Sequence, residues 1–268
     1  MTRVTSVSLS ATERTGTCLV PVLRAGRLWC LGVAAAGTML LAGCQSLDMN
    51  PANMAQVRVI AASPDTGSMD FYAGQTALAY SVDFGTASTY VPIAPGSMRL
   101  SATTANSNQM LVASNAALQP GRQYTAVVTN VAASLEETVF ADQTAPAPAG
   151  EIAVRVIDAA TRDRGVDLYM VPAGGRLTAT NAMRMGLAFG ASTGYMLLPA
   201  GTYSLVVVPA GTSPTSEAQT LMIAPQTSYA AGAARTVVLV DHVGAQQQAQ
   251  GVDEIVVNDF DPSSPDVK

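Results

Sequence analysis

The feature that most restricts how this chain can fold is a repeat of its own sequence. Val57, Arg58, Val59 and Ile60 recur as Val154, Arg155, Val156 and Ile157, and Met69, Asp70, Phe71 and Tyr72 recur as Val166, Asp167, Leu168 and Tyr169. Both pairs stand 97 residues apart. Phe84 and Gly85 return as Phe189 and Gly190, Ala94, Pro95 and Gly96 as Pro199, Ala200 and Gly201, and Tyr124 as Tyr229, all 105 apart. Constant spacing over separate landmarks marks a tandem duplication, with eight extra residues in the second copy between Tyr169 and Phe189. Two copies of about 100 residues each are expected to fold alike around separate cores.

Within a copy the apolar residues come in short runs broken by Gly, Pro, Asn and Ser, and no stretch sustains an i, i+3, i+4 apolar repeat. The spacing predicts an all-β fold of two tandem immunoglobulin-like, Greek-key β-sandwich domains. Strands in the first copy are expected at 56–61, 68–73, 79–84, 88–92, 97–102, 110–117, 123–130 and 137–141. Val57 and Val59 should face one core with Arg58 opposite, and Met69 and Phe71 should face away from Asp70 and Tyr72. Leu118, Pro120 and Tyr124, echoed by Ile223, Pro225 and Tyr229, have the pattern of a tyrosine corner, in which a phenol hydroxyl bonds back to the preceding backbone. The Pro/Ala run 143–150 reads as an extended linker. The expected plan is a signal segment at 1–43, a tether at 44–54, sandwiches at 55–142 and 151–260 around that linker, and an acidic tail at 261–268.

The amino-terminal region carries a different message. Arg24 and Arg27 precede a mostly apolar run from Leu28 to Leu41, and Leu41, Ala42, Gly43 and Cys44 follow. Fourteen residues fall short of the roughly 20 needed to cross a bilayer core, so the run reads as a secretory signal rather than a transmembrane helix. It resembles the lipobox of bacterial lipoproteins, which implies a diacylglycerol on the Cys44 sulfur, cleavage before Cys44 and acylation of the new amino terminus. On that reading Cys18 and Cys30 leave with the signal, and no thiol remains to form a disulfide. The part from Cys44 onward holds ten basic against eighteen acidic residues, a formal net charge of −8. Nucleic acid is excluded as a partner on that balance, and membrane attachment falls to the lipid on Cys44. Gln45, rather than aspartate, follows the cysteine, which points to the outer membrane.

The stretches VRVIAASPDTGSMDFY, FGTASTYVPIAPGSMRL and LQPGRQYTAVV resemble the bacterial domain of unknown function 4397, an extracellular immunoglobulin-like module. The resemblance covers about residues 55–142 clearly and 151–242 more loosely. It implies a fold and no activity.

Candidate chemistry is sparse. His242 is the only histidine, and Asp241 beside it on a strand points to the opposite face, so no Ser-His-Asp triad is expected. One histidine and no free thiol cannot assemble a zinc site. Asp70 and Asp167 are equivalent, each twelve residues after Arg58 or Arg155, and the spacing suggests a cross-strand ion pair on an outer face. Asn258, Asp259, Asp261 and Asp266 read as a solvated acidic terminus that lacks the order of a calcium loop. The chain is therefore expected to be non-catalytic, with no catalytic, metal or small-molecule cofactor residues. Its expected role is binding, adhesion or structure in the cell envelope, against an envelope protein or a polysaccharide. The alternative is a hydrolase with its site in the insertion at 170–188.

Overall fold

The duplication is built as two β-sandwiches in the computed structural model, which describes residues 53–213, 220–243 and 251–263. The first half contains β1 (Ala55–Ala61), β2 (Met69–Ala73), β3 (Thr76–Val82), β4 (Thr86–Ala87), β5 (Val91–Ile93), β6 (Gly96–Thr104), β7 (Met110–Leu118), β8 (Gln123–Thr129) and β9 (Glu136–Ala141). The second contains β10 (Glu151–Asp158), β11 (Val166–Pro172), β12 (Arg184–Leu187), β13 (Met196–Pro199), β14 (Gly201–Pro209), β15 (Met222–Ile223), β16 (Thr227–Tyr229), β17 (Ala234–Asp241) and β18 (Val252–Phe260). The sheet orders are β4-β1-β8-β9 with β5 also on β1, and β3-β2-β6-β7. Their counterparts are β13-β10-β17-β18, and β12-β11-β14-β15 with β16 also on β14. In both halves the first strand pairs in parallel with the same late strand, β1 with β8 and β10 with β17.

Alternation along the strands sets the layers. Val57, Val59 and Ala61 of β1 join Met69, Phe71, Leu100, Ala102 and Val128 in the first core. Val154 and Val156 of β10 join Leu168, Leu205, Val207 and Leu239 in the second. The opposite face of β1 is also buried, where the sequence reading sent a single face to a core. Ile60, Ala62 and Val127 pack against Ile157, Ala159, Val238, Val240 and Ile255 in a third core between the two sandwiches. Outward positions that water would normally wet carry Ile and Val in both copies, and each such side chain buried stabilises by about 1.5–3 kcal/mol. The sandwiches are thus joined along β1–β8–β9 and β10–β17–β18. The run 143–150 takes part in the packing: Ala147 is buried with Ala153 and Ala234, and its amide donates to the Gly232 carbonyl at 3.0 Å.

The register corrects two expectations. β1 and β2 belong to different sheets, so Arg58 does not pair with Asp70, nor Arg155 with Asp167. Asp70 instead accepts from the amides of Ser81 (2.7 Å) and Asn106 (3.0 Å), and Asp167 from Gly186 (2.6 Å) and Gly211 (2.9 Å). All four donors have positive φ, from 49° at Ser81 to 76° at Gly211. Each aspartate therefore holds two left-handed backbone positions, one on the β3 or β12 strand and one in the turn after β6 or β14.

The Tyr124 hydroxyl accepts from the Gln119 amide at 2.9 Å, closing a corner as the sequence suggested. Tyr229 is not its partner in the repeat. Tyr124 stands opposite Val57, and the residue opposite Val154 is Arg235, because six more residues intervene before β17. Tyr229 lies in β16 on the other sheet, with its ring 6.3 Å from that of Tyr203 and under the Arg235 guanidinium at 4.7 Å.

Replacing Asp70 or Asp167 by Ala leaves two amides at left-handed backbone positions unanswered and is expected to cost about 1–3 kcal/mol. Urea unfolding should show a lower midpoint at unchanged slope; an unchanged midpoint would contradict the turn-holding role.

Candidate functional site

Among the described residues, polar chemistry gathers at the seam between the sandwiches and in a cleft on the far sheet of the second. The seam forms because Arg58 and Arg155 occupy matching outward positions of β1 and β10, the strands that face one another across the third core. The Arg58 guanidinium bonds to Asp259, to the Asn258 carbonyl (2.8 Å) and to Thr125 Oγ1 (2.8 Å). The Arg155 guanidinium bonds to Asp142 (2.5 Å), to the Ala141 carbonyl (2.9 Å) and to Thr236 Oγ1 (2.9 Å). Each arginine thus pairs with an aspartate of the other sandwich. The second oxygen of Asp142 accepts from Thr125 (2.7 Å) and Tyr90 (2.8 Å), and that of Asp259 from Thr236 (2.6 Å) and Tyr195 (2.8 Å). Tyr90 lies under Arg58 at 4.6 Å and Tyr195 under Arg155 at 4.7 Å.

Both arginines and both aspartates are buried. Burial pushes the Tyr90 and Tyr195 phenols well above the ordinary phenol range, so they serve as donors at any physiological pH. Burial likewise pushes the Asp259 carboxyl up, and the Arg58 charge beside it pulls it back. A buried ion pair repays its desolvation only when the remaining lone pairs and protons are answered. Here each carboxylate meets a guanidinium and two hydroxyls.

The seam is not fully symmetric. Phe140 of β9 lies by Arg155, with its ring centroid 5.6 Å from the guanidinium, and its counterpart Val257 lines a shallow cleft of about 440 Å³ beside Arg58, Tyr90 and Asn258.

The second place lies under the insertion. Tyr169, Val171, Val206 and Val208 point outward from β11 and β14 and are covered by Leu177 and Ala182 of the inserted loop. The loop leaves a cleft of about 440 Å³ over Val171, Ser204 and Val206, rimmed by Arg176, Thr178, Ile223 and Gln226. Gly174 (φ +75°) and Gly175 make the turn that presents Arg176; a Cβ on Gly175 would stand 2.8 Å from the Pro172 carbonyl oxygen. Ser204 Oγ is engaged by the Ala224 carbonyl.

Of the residues singled out from the sequence, Cys44 and Asp266 lie outside the described residues. His242 is a half-exposed strand-end side chain that meets Asp253 at 2.9 Å, while Asp241 is buried and accepts from Thr161 Oγ1 (2.6 Å) and the Thr161 and Arg162 amides. Asp259 is a correction: it is a buried seam residue, because β18 extends to Phe260 along β17 and carries it inside. Asp261 is half-exposed and accepts from Ser263. The sequence reading missed Tyr90, Thr125, Asp142, Tyr195 and Thr236. Each has its repeat partner in the network, but Thr125 and Thr236 stand 111 apart and Asp142 and Asp259 stand 117 apart. Those two pairs fall outside the spacings 97 and 105, whereas Tyr90 and Tyr195 stand 105 apart, a spacing at which the repeat is visible in the sequence.

One further buried acid is specific to the second copy. Asp158, where the first copy has Ala61, is fully buried; one carboxyl oxygen accepts from the Ala160 amide at 3.1 Å and the other has no hydrogen-bond partner among the described residues. Burial, aided by the nearby charges of Asp163 and Asp241, pushes its carboxyl up to about 7.

Residues 55–169 match the family described as domain of unknown function DUF4397, a span that runs from the start of β1 into β11. No curated protein matches the sequence. Among solved structures, the chain is similar to one on alpha-glucan binding by a streptococcal virulence factor, at 11% identity and a TM-score of 0.23, over 57% of this chain and 79% of that one. It is also similar to CBMbc, a family CBM26 module from Eubacterium rectale Amy13K in complex with maltoheptaose, at 10% identity and a TM-score of 0.24, over 78% and 98% of the chains. The Bacillus anthracis TIE protein gives 9% identity and a TM-score of 0.20, over 77% and 44%.

Two predictions follow from the buried charges. Asp259→Ala strands the Arg58 charge and is expected to cost about 3–5 kcal/mol in urea unfolding, whereas Arg58→Met with Asp259→Leu costs less than the sum of its parts. Asp158 holds its proton in the folded state up to about pH 7, so the stability it contributes is fully present below the unfolded carboxyl's pKa of about 4 and is lost progressively as the pH rises to about 7. The stability gap between Asp158→Asn and the parent should widen in the variant's favour from pH 5 to pH 8; a constant gap would show that Asp158 does not titrate there.

Proposed function

We propose that the chain is a lipid-anchored, non-catalytic binding module of the bacterial cell envelope, held at the outer membrane by acyl chains on Cys44. The observation that carries this reading is the run Leu41, Ala42, Gly43 and Cys44 behind Arg24, Arg27 and a short apolar stretch. Residues 44–54 form the tether, 55–142 and 151–260 the two sandwiches around the linker 143–150, and 261–268 the tail. Two acyl chains suffice for stable anchoring of a body whose net negative charge opposes an anionic surface. The partner is an envelope protein or a polysaccharide.

Support for a binding role over catalysis comes from the polar groups themselves. The seam carboxylates are consumed by arginines and hydroxyls. His242 and Asp241 bond to different partners, and the cleft under the insertion is lined by Thr178 and Ser204 with no base among the described lining residues to activate either hydroxyl. These observations disfavour a hydrolase sited at 170–188. The buried seam suits a module that presents its surfaces at a fixed relative orientation.

Cys44→Ser is expected to move the protein from the membrane fraction to the soluble or unprocessed fraction. Tight membrane retention of that variant on fractionation would sink the anchor reading.

A further inference from the structure

The two sandwiches differ most on the outward face of their far sheets. In the first, alternate positions of β6 on that face are the exposed Arg99 and the buried but polar Ser101 and Thr103. Their counterparts on β14 are Ser204, Val206 and Val208, and Val206 and Val208 are buried. Apolar side chains on a sheet's outer face need a cover, and the inserted loop supplies one through Leu177 and Ala182. The cover is incomplete. It leaves the cleft of about 440 Å³, within the range of small-ligand sites and roomy enough for a ligand on the order of 15 non-hydrogen atoms.

The cleft's charge is the opposite of the protein's. The chain carries a formal net charge of −5, yet among the described residues those lining the cleft include one cation, Arg176, and no acid. Among the described residues the Arg176 guanidinium makes no hydrogen bond, ion pair or ring contact, unlike the seam arginines, which are fully engaged. Thr178 and Gln226 stand at the same rim with side-chain donors, above a floor of Val171 and Val206.

We infer that this cleft binds an organic anion with an apolar body, the body resting on Val171 and Val206 and the carboxylate, phosphate or sulfate meeting Arg176. The inference rests on the reading of the chain as a binding module and names the ligand class of one site on it. A planar guanidinium fork matches an oxyanion in two-point contact, and an apolar floor adds affinity in proportion to the area it covers.

The test titrates the full-length chain, in a non-ionic carrier with the carrier alone as blank, with 2-naphthoate and with its neutral isostere 2-naphthamide by isothermal calorimetry. Saturable binding is expected, with naphthoate about tenfold tighter or more, the scale of a hydrogen bond to a charged group. Arg176→Gln, an exposed substitution that leaves the fold intact, should erase the preference for the anion, and Val206→Trp should fill the floor and weaken both ligands. No saturable binding by the parent chain, or an anion preference that survives Arg176→Gln, overturns the inference. The Cys44→Ser chain should bind naphthoate as the parent does. Loss of the anchor and loss of the cleft are therefore read separately.

Discussion

The reciprocal pairing of Arg58 with Asp259 and Arg155 with Asp142 is the constraint on which the arrangement of the two sandwiches depends. Four buried charges lie between two sheets, and each must find its opposite in the other sandwich. The apolar third core supplies most of the favourable free energy of joining, since each buried Ile or Val contributes about 1.5–3 kcal/mol and a buried ion pair contributes little net. What the pairs supply is alignment. Any shift along the strands that kept Ile60 and Val238 buried would strand an arginine or an aspartate in the same apolar layer.

The same geometry explains why the duplication kept some positions and changed others. Residues that hold a turn or close the seam recur with their role intact: Asp70 and Asp167 each accept from two left-handed amides, and Tyr90 and Tyr195 each donate to an aspartate below an arginine. The outward positions of β6 and β14 have no part in the seam. There Ser101 and Thr103 correspond to Val206 and Val208, and the change accompanies an inserted loop that covers them. Asp158, buried where the first copy has Ala61, is a further departure.

Much of the strand plan was legible because its cause is local. The period of two in Val57, Val59 and in Met69, Phe71 marks the core faces, and the glycine and proline turns mark the ends. Partners across sheets were not legible. The twelve-residue interval between Arg58 and Asp70 suggests neighbouring strands, but the chain crosses from one sheet to the other in that interval. Insertions before β12, before β17 and between β17 and β18 hid the repeat partners Thr125 and Thr236, and Asp142 and Asp259, from any single spacing.

Taken alone, the sequence determined the all-β character and the twofold repeat, because periodicity and turn residues are properties of neighbouring residues. Only the tertiary structure decided where the charges go. An arginine at an outward strand position reads as a solvated surface residue until a second sheet is laid against it. The third core does that, and so turns Arg58, Arg155, Asp142 and Asp259 from surface charges into a buried network whose members come from both halves of the chain.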